Sequence, residues 1–123
     1  MKMIVAYTRH ESFEPIRQEL LDAGFPSITI SEVKGSGRQR GVTQHYRGSA
    51  IPTHLRPKLK IECVVESTDV ATVTEVILRH ARSGEVGDGK IFVLPVEEAV
   101  RIRTGESGEK VLQAHETNEE IPA

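Results

Sequence analysis

Lys58-Leu-Lys-Ile-Glu-Cys-Val-Val-Glu66 is the stretch on which the fold turns. Leu59, Ile61, Cys63 and Val65 alternate with Lys60, Glu62, Val64 and Glu66. That period belongs to a strand with one buried face and a mostly polar second face. Upstream, Ser27 to Val33 reads as another strand, with Ile28 and Ile30 on one face. More than twenty residues without hydrophobic periodicity separate the two. A connection of that length inside a small domain is uncommon, and is usually functional or disordered.

Working outward, the remaining elements fall into place on both sides. Met3 to Tyr7 reads as a strand. Ser12 is a plausible N-cap for a helix carrying Phe13, Ile16, Leu20 and Ala23, with Pro15 tolerated in the first turn and Gly24 as the stop. Asp69 can cap a second helix through Arg82, with Val70, Val73, Ile77 and Ala81 on one side and Gly84 at its end. Lys90 to Leu94 reads as a fourth strand, and Glu97 to Arg101 as one helical turn. The order is strand–helix–strand, loop, strand–helix–strand, so each half has the length of a βαβ unit. Two such units predict an α+β, ferredoxin-like double βαβ: a four-stranded antiparallel sheet with two helices on one face. The other face would expose Val64 and its neighbours, and oligomerisation is the simplest cover. Residues 1–112 form the expected domain. From Gln113 to Ala123 the chain is polar and aperiodic and reads as a flexible tail.

Composition narrows the function classes. The 123 residues suit one domain. A formal net charge of −2 gives no field for nucleic acid or anionic membrane, and the absence of Trp weakens a base-stacking surface. The single cysteine, Cys63, sits in an apolar strand and reads as a buried, inert thiol of an intracellular protein. No apolar run approaches membrane-spanning length. Met1 leads straight into a strand, so no signal peptide is expected.

Three segments share one chemical character: Gly35-Ser-Gly-Arg-Gln-Arg-Gly41, Gly84-Glu-Val-Gly-Asp-Gly-Lys90 and Arg101-Ile-Arg-Thr-Gly105. Glycines let successive N–H groups converge on an anion, and Lys or Arg supplies charge. The second has the glycine and lysine spacing of a P-loop. It lacks the following Ser or Thr, since position 91 is Ile, and it follows a helix instead of opening one. It therefore predicts phosphate contact only. Singly, such segments are more often ordinary turns; together they favour a nucleotide site.

These residues resemble the PII signal-transduction proteins. The match runs through Thr29 to Gly41, Tyr46-Arg-Gly48, Pro57 to Glu62, Gly84 to Val93 and Ala99 to Glu106, without a gap up to about residue 110. The resemblance implies a homotrimer that binds ATP or ADP in clefts between subunits. It implies 2-oxoglutarate beside Mg-ATP at the base of a T-loop, here about residues 37–58. Carried over by position, Gly87, Gly89, Lys90, Arg101 and Arg103 would hold phosphates, with Asp88 in the same loop. Thr29, Gly35, Glu62 and Val64 would surround adenine and ribose, Ser83 would stand where Thr is usual, and Gly37 and Arg38 would complete the nucleotide set. Gln39 would ligate Mg2+, a hard cation that prefers oxygen. Gln39, Arg40, Gly41, Lys58 and Gly87 would hold 2-oxoglutarate, with Lys58 pairing its carboxylate. Binding would fix the loop's root and change its tip, an order–disorder switch. Through that tip a cytoplasmic sensor would engage an ammonium-type transporter or a regulated enzyme at the membrane or in solution.

The tip departs from the family. The tyrosine that relatives uridylylate corresponds to Ile51, and Pro52 and Pro57 stiffen the segment. Tyr46, Arg47, Ser49, Ile51 and His54 are the expected partner contacts. Arg47 matches an arginine that plugs an ammonium channel in some relatives, against a plain solvated arginine; Ser49 matches a phosphorylated serine, against a plain loop serine. The altered tip motivates an alternative, a PII-like sensor of bicarbonate or of a metal-transport signal that binds nucleotide but not 2-oxoglutarate. Retained Gln39 and Lys58 favour 2-oxoglutarate. An enzyme acting on nucleotide is disfavoured, because Asp88 and Glu106 are weak candidates for a base and no Ser–His–Asp or paired-carboxylate arrangement is evident. His10, His45, His54, His80 and His115 lack tight ligand spacing and read as surface histidines, and Lys34, Lys60 and Arg79 as solvated or interface charges.

Overall fold

The computed structural model describes residues 1–36, 44–46, 49–51 and 55–112. In chain order these are β1 (Lys2–Thr8), α1 (Phe13–Asp22), β2 (Thr29–Gly35), β3 (Gln44–Tyr46), β4 (Ser49–Ile51), β5 (Arg56–Val65), α2 (Val70–Ala81) and β6 (Lys90–Pro95). The main sheet runs β2-β5-β1-β6 with every neighbour antiparallel. The fold is the ferredoxin-like one that the order of elements predicts.

Register explains the two faces. Ile4 pairs with Cys63, and Ala6 and Ile30 both pair with Ile61. These side chains turn toward the helices. There Ile4, Ala6, Ile61, Cys63 and Val65 pack against Ile16 and Leu20 of α1 and Val73, Val76 and Ile77 of α2. Burial of each large side chain contributes about 1.5–3 kcal/mol. Ile30 shares that face but stays 45% exposed, because β2 is an edge strand. Burial pushes the Cys63 thiol up to about 11, which keeps it protonated and unreactive. The alternate residues form the open face. Met3 pairs with Val64 and Leu94, and Val5 with Phe92, and Phe92 and Leu94 are 50% and 41% exposed.

Several local expectations change. Neither Ser12 nor Asp69 caps a helix through its side chain. Each helix is instead entered through a 3-10 turn, His10–Ser12 and Ser67–Asp69, whose αR backbone leads directly into it. Glu97 to Arg101 is not a helical turn. The Val96 N–H bonds the Met1 carbonyl at 3.0 Å, which prolongs the sheet ladder past Pro95. Val100 then bridges Ser107, and the Gly105 N–H closes the turn on the Arg101 carbonyl at 2.7 Å. A further 3-10 turn, Glu109–Leu112, follows unannounced by any hydrophobic period. The long loop carries the short hairpin β3–β4, too brief to leave a periodic signal. Arg79 and His80 are not simply solvated. Both engage the Glu19 carboxylate from across the helix pair, His80 at 2.7 Å. Arg79 foremost, then His80, lowers the Glu19 pKa. The tail from residue 113 lies outside the described residues.

Candidate anion-binding site

Gly35 pairs with Arg56, so the long loop leaves and re-enters the sheet side by side. The same end carries Tyr7 of β1 and Lys90 of β6, which pair with each other. The connection from α2 to β6 folds over this end. Together they bound a cleft of about 810 Å³ lined by Val33 to Ser36, Arg56, Lys58, Lys60, residues 85–90, Tyr7 and Phe92.

Asp88 organises the connection. Its carboxylate accepts the Ser83 and Gly84 N–H groups at 2.7 and 2.8 Å and the Ser83 hydroxyl at 2.5 Å. The Arg9 guanidinium adds an ion pair at 2.7 Å. The Ser83 hydroxyl foremost, then the Ser83 N–H, with Gly84 and Arg9 adding, holds the Asp88 carboxyl well below the usual carboxylate range. Arg9 also donates to the Val86 carbonyl at 3.0 Å. Across the cleft the half-buried Lys58 donates to the Gly87 carbonyl at 2.5 Å. Burial, then the charges of Arg9 and Arg56, push the Lys58 ammonium below the ordinary lysine value.

Two glycines are required for different reasons. Gly89 has φ +112°, and a Cβ there would lie 1.7 Å from the Tyr7 carbonyl oxygen. Gly87 has φ +102°, and a Cβ there would sit 3.1 Å from Arg9 Nη2 and 3.8 Å from Lys58 Nζ. A side chain at 87 would therefore fill the space between two cations. Arg56, Lys58, Lys60 and Lys90 face the cleft against Glu85 and an Asp88 already paired with Arg9. Such a cleft can receive a multiply charged anion.

Of the residues singled out by sequence, Gly35, Lys58, Gly87, Asp88, Gly89 and Lys90 line this one cleft. Ser83 joins it through Asp88. Thr29, Glu62 and Val64 do not. Thr29 pairs with Glu62 at the opposite end of β2, six residues from Gly35, or about 20 Å along a strand. Arg101 and Arg103 belong to the turn beyond Pro95, and Pro95 pairs with Lys2, so that segment leaves the sheet by its far end. The Arg101 side chain donates to Glu106 at 2.8 Å and to the Val111 carbonyl at 3.0 Å, whereas Arg103 is exposed. Gly37, Arg38, Gln39, Arg40, Gly41, Arg47 and His54 lie outside the described residues. Tyr46, Ser49 and Ile51 fall in the backbone of β3 and β4.

Sequence reasoning missed Arg9. Its only signal is a cation directly after a strand, and its partner Asp88 is 79 residues away. It also missed the apolar wall made by Tyr7 and Phe92, whose rings meet edge to face at 6.3 Å. Among the described residues no helix is long and apolar enough to cross a membrane.

Fold and cleft together define a ferredoxin-like protein whose cation-lined glycine loop sits at the root of a long excursion between two strands. The sequence pattern described as nitrogen regulatory protein P-II matches residues 1–106, and the chain belongs to that family. It is 51% identical to nitrogen regulatory protein P-II 2 of Methanothermobacter thermautotrophicus over 91% of this chain and 97% of that relative. It is 48% identical to nitrogen regulatory protein P-II of Microchaete diplosiphon and 46% identical to that of Nostoc punctiforme, each over 86% of this chain and 95% of the relative. Proteins of this family are regulatory signalling proteins and not enzymes, and generally bind ATP or ADP and 2-oxoglutarate.

Proposed function

We propose that this chain is a trimeric sensor in which ATP and ADP compete for one cleft and 2-oxoglutarate binds in linkage with Mg-ATP. The observation that carries the reading is the placement of Lys58. It stands at the loop's root, half-buried, against the Gly87 carbonyl and beside the glycine loop. A dicarboxylate arriving there would take Lys58 as its counter-ion while nucleotide phosphates lie on Gly87, Gly89 and Lys90. Mg2+ held by Gln39 would join the two ligands, with Arg40 and Gly41 offering loop N–H groups.

Trimer formation would cover the open sheet face of Met3, Val64, Phe92 and Leu94. It would also supply what one copy lacks. Gly35 and residues 87–90 lie at one end of the sheet, and Thr29, Glu62 and Val64 at the other. A cleft between copies lets the second group, with Arg101 and Arg103, meet the first around one nucleotide, Gly37 and Arg38 closing it from the loop.

The signal would leave through residues 37–58, with Arg47 and its neighbours docking on an ammonium-type transporter or a regulated enzyme. Ile51 has no hydroxyl, so uridylylation at that position is chemically closed. The protein would act in the cytoplasm and reach the membrane through its partner, residues 113–123 forming an appendage to the domain.

Calorimetric titration with Mg-ATP, with and without saturating 2-oxoglutarate, tests the reading. Tighter Mg-ATP binding in the presence of 2-oxoglutarate is the expected linkage. Mg-ATP binding indifferent to 2-oxoglutarate would instead leave a nucleotide sensor for another signal, with bicarbonate the next titrant.

A further inference from the structure

Arg9 has no part in the reading above, yet it makes three polar contacts with the glycine loop. It directly follows β1 and reaches over to the α2–β6 connection. Nη1 donates to Asp88 Oδ1 at 2.7 Å and to Ser83 Oγ at 3.1 Å, and Nη2 donates to the Val86 carbonyl at 3.0 Å. A planar fork presents its donors in fixed directions to a carboxylate, a hydroxyl and a carbonyl at once; the three rotatable donors of a lysine are not preset in this way.

One side chain thus grips the loop at its base and at its crown. Hydrophobic packing does not hold the crown, since Val86 is 68% exposed. The order of the segment rests on polar contacts, which is the situation in which single contacts govern local opening. There is also a charge problem. Asp88 is flanked by Gly87 and Gly89, whose N–H groups would receive a phosphate. The Ser83 and Gly84 donors that hold the Asp88 carboxylate are neutral and leave its full negative charge in place, and that charge would repel a phosphate.

We propose that Arg9 is the positioning residue of the glycine loop: it fixes the Val86 carbonyl and cancels the charge of Asp88, so that the loop presents N–H groups to a phosphate instead of a carboxylate. The phosphate half of this inference rests on the nucleotide reading. The clasp itself does not, and the two are tested apart.

The full-length chain and its Arg9→Met, Arg9→Lys and Arg9→Met/Asp88→Asn variants would be titrated with Mg-ATP, with thermal midpoints recorded alongside. Loss of a charge-assisted clasp predicts that Arg9→Met binds about tenfold more weakly, with little change in midpoint. Arg9→Lys restores charge without the fork and recovers only part of the loss. Asp88→Asn added to Arg9→Met removes the stranded carboxylate and recovers affinity, which a merely structural arginine would not show. Arg9→Met binding as the parent does, or a further loss from Asp88→Asn, overturns the proposal. Should the parent chain not bind Mg-ATP, the nucleotide reading fails, and the clasp is decided by hydrogen exchange without ligand. Faster exchange of the Ser83 and Gly84 amides in Arg9→Met supports it; unchanged exchange overturns it.

Discussion

Lys58 of β5 is bound through its ammonium to the main-chain oxygen of Gly87, on the far side of the cleft, at 2.5 Å. One hydrogen bond across the cleft therefore joins the root of the long loop to the glycine loop. An anion that draws Lys58 away must release that carbonyl. On the proposed reading, occupancy at the root of one loop would then change the constraints on the other.

Replacing this lysine tests the coupling. Lys58→Met is expected to weaken 2-oxoglutarate binding by about 1.5–3 kcal/mol, the worth of a hydrogen bond to a charged group. ADP binding should be nearly unchanged. Thermal stability should move little, because loss of the Gly87 contact is offset by relief of repulsion from Arg9 and Arg56. Calorimetry with both ligands checks this, and equal losses for both would mean that Lys58 serves the nucleotide.

Acidity gives an independent handle on the same residue. Its pKa is lowered by burial first and then by Arg9 and Arg56. Between that lowered value and the ordinary lysine value of about 10.4, the unfolded chain binds the proton more tightly, so this group's contribution to stability rises with pH. Anion binding needs the protonated form and runs the other way. 2-Oxoglutarate affinity should decline as pH rises from neutral toward about 10, and the decline should be absent in Lys58→Met. A pH profile of the two proteins decides it.

Glycines of one loop should differ in their tolerance. At Gly89 an alanine Cβ meets the Tyr7 carbonyl at 1.7 Å, so the backbone must shift. Gly89→Ala is expected to cost about 3 kcal/mol or more. At Gly84, φ is +89° but the space is open, so Gly84→Ala should cost only the left-handed penalty of about 1–2 kcal/mol. Urea unfolding of the two variants measures the difference.

Arg101 and Arg103 should separate structure from binding. Arg101 ties its turn to Glu106 and to the Val111 carbonyl, so Arg101→Ala should loosen residues 100–112 and speed their amide exchange. Arg103 is exposed, and Arg103→Ala should leave that exchange alone while weakening ATP and ADP alike by about 1.5–3 kcal/mol. Unchanged nucleotide affinity in Arg103→Ala would remove it from the site.

Acid should act on the helix pair through Glu19. Arg79 first, then His80, lowers its pKa, so its contribution is present above the ordinary carboxylate range and lost as pH falls through the lowered value. Glu19→Gln should flatten that part of the acid limb, read as a thermal midpoint that changes less between about pH 5 and 3 than in the parent.

The fold was legible because periodicity is a local property. The alternation from Leu59 to Val65 predicts both the buried face and the open one, and the register of β5 with β1 agrees residue by residue. Turns that depend on distant backbone were not legible. Glu97 to Arg101 carries a helical composition, but its backbone is engaged elsewhere: the Val96 N–H bonds Met1, which is remote in sequence, the Ala99 carbonyl accepts from Gly108, and the Arg101 N–H bonds Glu106. The candidate site divides the same way. Glycines and lysines within one loop announce themselves by spacing, while Arg9 acquires meaning only when β1 brings it against Asp88.

If Thr29 and Gly35 serve one site, as proposed, the distance between them has a consequence of arithmetic. A protein with unlike halves of one site at opposite ends completes sites only where copies meet head to tail. A row of copies always leaves one half unused at each terminus, whereas a closed ring leaves none. Symmetry would then fix stoichiometry: as many complete sites as subunits, each dependent on two neighbours. A single defective copy would spoil the two contacts it takes part in, and differently damaged copies mixed together could still rebuild one intact site.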